Sequence, residues 1–202
     1  MTNSAQPTGL SNISLALVHY PVVDKNGDTI TTSVTNLDVH DIARTCRTFG
    51  VRKYYLVTPV DSQVYLINKI MDHWKKGWGA GYNPRRSDAL HLVERVNTLD
   101  DLQAAVEKDV ASDDSKKTTP AIQWVATSAR PPEGVPQLPL DQLANHDGHT
   151  ILLFGTGWGL HPDVYQRCDA VLPPITGPTE YNHLAVRSAV AIYLANIFKI
   201  TP

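Results

Sequence analysis

The 202-residue chain carries 18 Lys and Arg against 20 Asp and Glu, a formal net charge of −2, with 42% hydrophobic and 19% charged residues. That length and composition suit one globular domain with a proper core. The near-neutral balance (pI about 6.4) argues against a surface that binds nucleic acid everywhere, while leaving room for a local basic face. No apolar run reaches the roughly 18–20 residues of a membrane span. The polar start "MTNSAQPTGLSN" lacks the regions of a signal peptide, so residues 1–12 are read as a loose tail before a single domain, 13–202. Cys46 and Cys168 are isolated thiols that form no CxxC pair, and a cytoplasmic setting follows.

In chain order, "ISLALVHYP" is a buried strand, and "DKNGDTI" a turn tightest at Asn26-Gly27. In "TNLDVHDIARTCRTFGV" the residues Val39, Ile42, Ala43, Cys46 and Phe49 recur at helical spacing until Gly50 ends the pattern. "RKYYLVTP" is the next strand. "DSQVYLINKIMDHWKKG" is a helix with Val64, Ile67, Ile70, Met71 and Trp74 on one stripe. A glycine-rich basic loop leads to the strand "HLVERV" and the helix "LDDLQAAVEKDV". "ASDDSKKTTP" is a polar linker whose charged run, Asp113–Lys117, reads as an exposed loop. The strand "AIQWVAT", a proline-rich loop, the short helix "LDQLAN" and the strand "ILLFG" follow. Then come "PDVYQRC", "AVLP" and a last helix from about Asn182 to Phe198. Strands alternating with helices predict an α/β protein, a mostly parallel sheet flanked by helices.

Ligands of such sheets bind beyond the carboxyl ends of strands. Three of these ends carry small or unusual residues: Thr127, Ser128 and Ala129; the glycines of "FGTGWGL"; and "PPITGPTEYN". Small residues let the main chain approach a ligand, so three neighbouring loops could cradle a flat base; the alternative is three tight strand-to-helix turns. G-T-G-W-G is not the dinucleotide fingerprint, because no acidic residue follows about 20 positions on in the expected unit. Nor is it a P-loop, because no Lys-Ser/Thr follows. A nucleoside-like cofactor without phosphate fits better.

The last helix holds one charged residue, Arg187, in about four and a half turns, and is rich in alanine. It predicts cover nearly all round, by a partner subunit or by the chain's own core. Thr179 or Asn182 is placed to cap its start. Arg44 and Arg47 lie off the apolar stripe of the first helix, suited to binding phosphate or stabilising an oxyanion, or simply solvated. Lys69–Arg86 holds five basic residues against Asp72 alone, interleaved with Trp74, Trp78 and Tyr82. Cations with rings suit single-stranded nucleic acid, and the other reading is a helix end running into a flexible loop. His146 and His149 in "NHDGHT" read as solvated loop histidines in preference to a metal pair.

Together, "TNLDVHDIARTCRTFGV", "FGTGWGL" and "PITGPTEYNHLAVRSAVAIYL", in this order, resemble the SPOUT class of S-adenosylmethionine-dependent RNA methyltransferases, over about Ser14 to Phe198. The resemblance implies a C-terminal trefoil knot, an exception to the rule that chains avoid knots. It implies a homodimer through helix 182–198, and a tRNA or rRNA substrate. It implies a cofactor held by three loops: Thr127, Ser128 and Ala129; Phe154, Gly155, Thr156, Gly157, Gly159 and Leu160; and Ile175, Gly177, Asn182 and Leu184. Arg44 matches the arginine that activates the hydroxyl in the ribose-methylating branch, although Asp38 stands where that motif has asparagine. In the guanine-N1 branch the base is an acidic residue before a histidine near the last helix. Here the pair is Asn182-His183, and neutral Asn cannot act as that base, which leaves Glu180 as the substitute. Arg44, Asn182 and Glu180 are therefore the catalytic candidates, ribose 2′-O is the favoured acceptor, and Arg47, Lys75, Lys76, Arg85 and Arg86 are the RNA contacts. The absence of an unmistakable base keeps open a non-catalytic, cofactor-responsive RNA-binding module. An α/β enzyme acting on a small nucleoside-like substrate is a third possibility.

Overall fold

A computed structural model describes residues 12–112, 120–144 and 146–199. The tail before Asn12 and the charged run Asp113–Lys117 lie outside the described residues. One parallel sheet of six strands organises the chain: β1 (Ile13–Val18), β4 (Tyr54–Val57), β5 (Val93–Val96), β6 (Ile122–Ala126), β7 (His149–Gly155) and β8 (Ala170–Val171), in the spatial order β5-β4-β1-β7-β6-β8. From β1 the chain builds outward through β4 to β5. It then returns to the other side of β1, where β7 inserts between β1 and β6. β1 and β7 pair in register from Ile13↔Thr150 to Val18↔Gly155. Both are buried on both faces, hence the unbroken runs "ISLALV" and "TILLF" in place of alternation.

Alternate side chains feed two cores. On one face Leu15, Leu17, Tyr54, Leu56, Leu152 and Phe154 meet the helices α1 (Ala43–Thr48), α2 (Asp61–Lys75), α4 (Pro84–Leu90) and α8 (Val186–Ile197). On the other, Ala16, Val18, Tyr55, Val57, Ile151 and Leu153 meet α5 (Leu99–Ala111) and α7 (Pro162–Gln166). The stripe of α2 holds, with Ile67 at its buried centre. α5 opens on a full capping box, Thr98 with Asp101. Burial pushes the Cys46 thiol up, and that of Cys168 up to about 12, so neither is poised for thiolate chemistry.

Four expectations are corrected. The first-motif helix is not uniform: Asp38–Ile42 forms a wide π-helical turn that runs into α1. The basic glycine-rich stretch is helical, as α3 (Trp78–Tyr82) and α4, because Pro84 occupies the first turn of α4 and the Asn83 side chain accepts from Arg86 N. The last helix starts at Val186, not Asn182, with Ala185 as its cap residue and no side-chain cap bond, so neither Thr179 nor Asn182 caps it. The Asn182 amide instead donates to Ala129 O at 3.2 Å, and residues 182–185 stay outside the helix. His149 is not a solvated loop residue but the buried start of β7, its Nε2 3.0 Å from Ser14 Oγ.

The turn at Asn26-Gly27 closes a two-stranded hairpin, β2 (Val22–Val23) with β3 (Thr29–Ile30). Two variants test the core. Leu152→Ala, at a fully buried central site, is expected to cost about 2–5 kcal/mol, and Thr98→Ala at the α5 cap about 1 kcal/mol, read from urea unfolding curves.

Candidate cofactor and acceptor site

The strand order reverses between β1 and β7, and a crevice opens beyond their carboxyl ends, as such reversals produce. It holds a cavity of about 660 Å³ lined by Thr127, Ser128 and Ala129 after β6, by Phe154, Gly155, Gly157, Trp158, Gly159 and Leu160 after β7, and by Ile175 and residues 181–184 before α8. That size suits a small-molecule cofactor. Of the thirteen cofactor residues read from the sequence, eleven line it; Thr156 and Gly177 do not. Arg130, Tyr165, Val186, Ala189 and Tyr193 complete the wall and were not anticipated, because they reach it from α7, α8 and a proline-rich loop. The Tyr193 hydroxyl donates to Pro173 O at 2.8 Å, tying α8 to the loop after β8.

The glycine loop is gripped from outside by the hairpin. Val23 N donates to Gly159 O (3.0 Å), Trp158 N to Val23 O (3.1 Å), and Val22 bridges Leu160. Gly157 and Gly159 have φ of +62° and +123°, and a Cβ on Gly157 would meet Thr32 Cγ2 at 3.2 Å. Part of the glycine requirement is therefore the hairpin, not the ligand. Trp158, 62% exposed, stands at the cavity wall.

Thr156 points away from the cavity. Its hydroxyl donates to Val18 O (3.0 Å), leaving its oxygen to accept from Thr32 Oγ1. Thr32 Oγ1 in turn accepts from His19 Nδ1–H at 3.1 Å. This chain sets the His19 tautomer, and its buried Nε2 has no partner among the described residues. Burial pulls the His19 pKa down to about 4, with Asp38 opposing weakly.

Arg44 is exposed on α1 and does not line the cavity. Asp38 is buried and accepts from the Thr35 hydroxyl at 2.6 Å, so the residue at the asparagine position serves the turn itself. Glu180 is exposed and outside the cavity wall, while Asn182 joins two cofactor loops. No Asp or Glu is among the lining residues.

Of the RNA contacts, Lys76 and Arg85 are exposed. Arg47 is held by Asp88 at 2.9 Å. Lys75 turns inward to Val93 O at 3.2 Å, and burial followed by Lys53 lowers its pKa, so it is corrected from RNA contact to sheet anchor. Arg86 lies over the Trp74 ring at 4.8 Å. Among the described residues no group of three or more His, Cys, Asp or Glu is arranged to hold a metal, and no helix is long and apolar enough to cross a membrane.

Residues 12–199 match the family model described as SAM-dependent RNA methyltransferase. The chain belongs to this family. A tRNA (guanine-N(1)-)-methyltransferase of Oleidesulfovibrio alaskensis is 39% identical over 92% of this chain but only 42% of its own length. An uncharacterized protein of Aquifex aeolicus is 38% identical, covering 93% of this chain and 88% of that protein. Among solved structures, the SpoU methyltransferase AviRb of Streptomyces viridochromogenes, in complex with AdoMet, superposes with a TM-score of 0.52 at 16% identity, over 92% of this chain and 56% of that one. It shares the SPOUT-type fold. The chain thus spans less than half the length of the guanine-N1 relative. S-adenosylmethionine is the family's methyl donor, and a cavity walled by apolar Phe154, Leu160 and Ile175 together with polar Ser128 and Arg130 suits a molecule of that mixed chemistry.

The buried His19 makes stability pH-dependent. The unfolded chain binds its proton near pH 6.5 and the folded chain only near 4, so stability is full above 6.5 and lost as pH falls towards 4. The expected loss from this group is about 3 kcal/mol at most. Urea midpoints at pH 7.5 and 4.5 should converge in His19→Gln relative to the parent; an unchanged gap removes His19 as the cause.

Proposed function

We propose that this methyltransferase modifies a ribose 2′-hydroxyl of tRNA or rRNA in the cytoplasm, acting as a homodimer. The observation that carries the choice of acceptor is that, among the described residues, no carboxylate lines the cavity. Either acceptor must lose a proton as the methyl group arrives; with no carboxylate on the wall to take it, the assistance this chain offers is a cation, which stabilises the alkoxide that develops on a ribose hydroxyl.

In this reading Thr127–Ala129, Gly155–Leu160 and Ile175–Leu184 hold S-adenosylmethionine. Bound there, it supplies a methyl group on a sulfonium, already a good leaving group. The protein's task is to orient the acceptor in line and assist loss of its proton. Arg44, whose guanidinium cannot act as a base, lowers the energy of the acceptor oxygen anion as its proton passes to solvent. Since Arg44 is not part of the cavity wall of its own chain, the reading requires a second copy to bring it there. Tyr181, Leu184 and Ile192, exposed apolar residues before and along α8, support a subunit contact at this helix. The C-terminal knot belongs to the same reading. It is supported by the insertion of β7 between β1 and β6, and by the bond from Asn182 back to the loop after β6.

A second reading, methylation of guanine N1, is favoured by the names of relatives, proteins more than twice as long as the matched region. It would need Glu180 as base. Labelled S-adenosylmethionine with RNA from a strain lacking the protein, followed by nucleoside mass spectrometry, separates the two. The expected product is a 2′-O-methylnucleoside. Arg44→Ala should cut transfer about 100-fold or more with cofactor affinity within about threefold, and Glu180→Gln should leave the rate unchanged. A methylated guanine base whose formation depends on Glu180 would overturn the ribose reading.

A further inference from the structure

Resting on the reading of RNA as substrate, we infer that Trp78 and Tyr82 form a stacking platform for an unpaired base of a single-stranded RNA segment, outside the methyl-transfer cavity. The two rings lie nearly parallel, centroids 4.5 Å apart at 21°, and are 71% and 70% exposed. An aromatic pair that open to water is normally buried against something, and its outer faces match the π-face every base offers.

The support beneath the pair is built. α3 is pressed onto the end of α2 through Gly79, where a Cβ would stand 2.8 Å from both His73 Nε2 and Trp74 Cε3. Trp74 is enclosed by His73, by the His40 ring of the π-helical turn, and by the Arg86 guanidinium. Trp74 is thus part of the scaffold, and the outer rings alone are available. Lys76 and Arg85 are exposed beside them, with Asp72 near Lys76 and Asp88 already matched by Arg47. The local surplus is positive on a chain of net charge −2, which favours a phosphate backbone over a protein or membrane partner.

The helix that follows the platform, α4, packs on the first motif: its Asp88 pairs with Arg47 of α1 at 2.9 Å, on the helix that also carries Arg44. None of α3 or α4 lines the cofactor cavity. A base held by Trp78 and Tyr82 stands outside the wall that holds the methyl donor, and in this proposal it belongs to a nucleotide other than the methylated one. The substrate must be a multi-nucleotide RNA, with binding energy gathered away from the reacting ribose.

The test uses the full chain, S-adenosylhomocysteine and a single-stranded 20-nucleotide RNA carrying 4-thiouridine. Photocrosslinks should map to the peptide containing Trp78 and Tyr82. Trp78→Ala/Tyr82→Ala should weaken binding about tenfold or more and, in turnover with S-adenosylmethionine and unmodified RNA, raise KM for RNA with kcat and cofactor affinity unchanged. Trp78→Phe/Tyr82→Phe should keep most of the affinity. Crosslinks confined to other segments, or affinity indifferent to the alanine pair, would overturn the platform. So would an alanine pair that shifts the oligomeric state and spares RNA binding, which would make the rings a protein contact. Methyl transfer intact with ring-independent binding sinks the platform alone. Ring-dependent binding with no transfer to any RNA sinks the proposed reaction and leaves the platform standing.

Discussion

The pairing of β1 with β7 is the constraint on which the rest of this molecule depends. Two strands far apart in sequence lie side by side at the centre of the sheet, buried on both faces, and end together at Val18 and Gly155. Because the sheet grows in opposite directions on either side of this seam, the helices that follow leave on opposite faces. The crevice they leave is where the cavity forms. The glycine loop comes late in the chain because its strand, β7, lies between β1 and β6, both of which precede it in sequence. The His19–Thr32–Thr156 chain of hydrogen bonds sits on the same seam, fastening the exit of β1 to the exit of β7.

The cofactor loop is consequently held on two sides. Towards the interior, its strand is part of the sheet. Towards solvent, the β2–β3 hairpin adds two main-chain bonds to Trp158 and Gly159 and sets Thr32 against Gly157. A loop of three glycines would otherwise be conformationally costly to order. The hairpin leads into the turn bearing Asp38 and then Arg44, so the element that shapes the glycine loop also delivers the first motif. Arg187 of α8, 3.8 Å from Asp41 of that turn, closes the circuit from the third loop back to the first motif.

The helical face bearing the basic and aromatic residues shows how side-chain direction reassigns charges that look equivalent in sequence. Lys75 and Lys76 are neighbours, yet one reaches a sheet carbonyl and the other faces solvent. Trp74 and Trp78 are one helical turn apart in numbering, yet a break at Gly77 makes the first a scaffold and the second a surface. Net composition could indicate a basic patch there, but not which members of it are free.

The sequence by itself determined the α/β class, the six main strands, the stripes of the first two long helices and most of the residues that line the cavity. These depend on local hydrophobic period and on small residues at strand ends, which can be read without knowing what lies opposite. The tertiary structure alone decided what required a partner distant in sequence. Asn182 spans to Ala129 instead of capping α8. The hairpin grips the glycines. Arg130, Tyr165 and Tyr193 enter the cavity. His149 is buried against Ser14, and Arg44 lies off the cavity wall of its own chain. Each is a contact between segments brought together by the β1–β7 seam. Hydrogen bonds and burial of that kind are set by strand order, which no local pattern encodes.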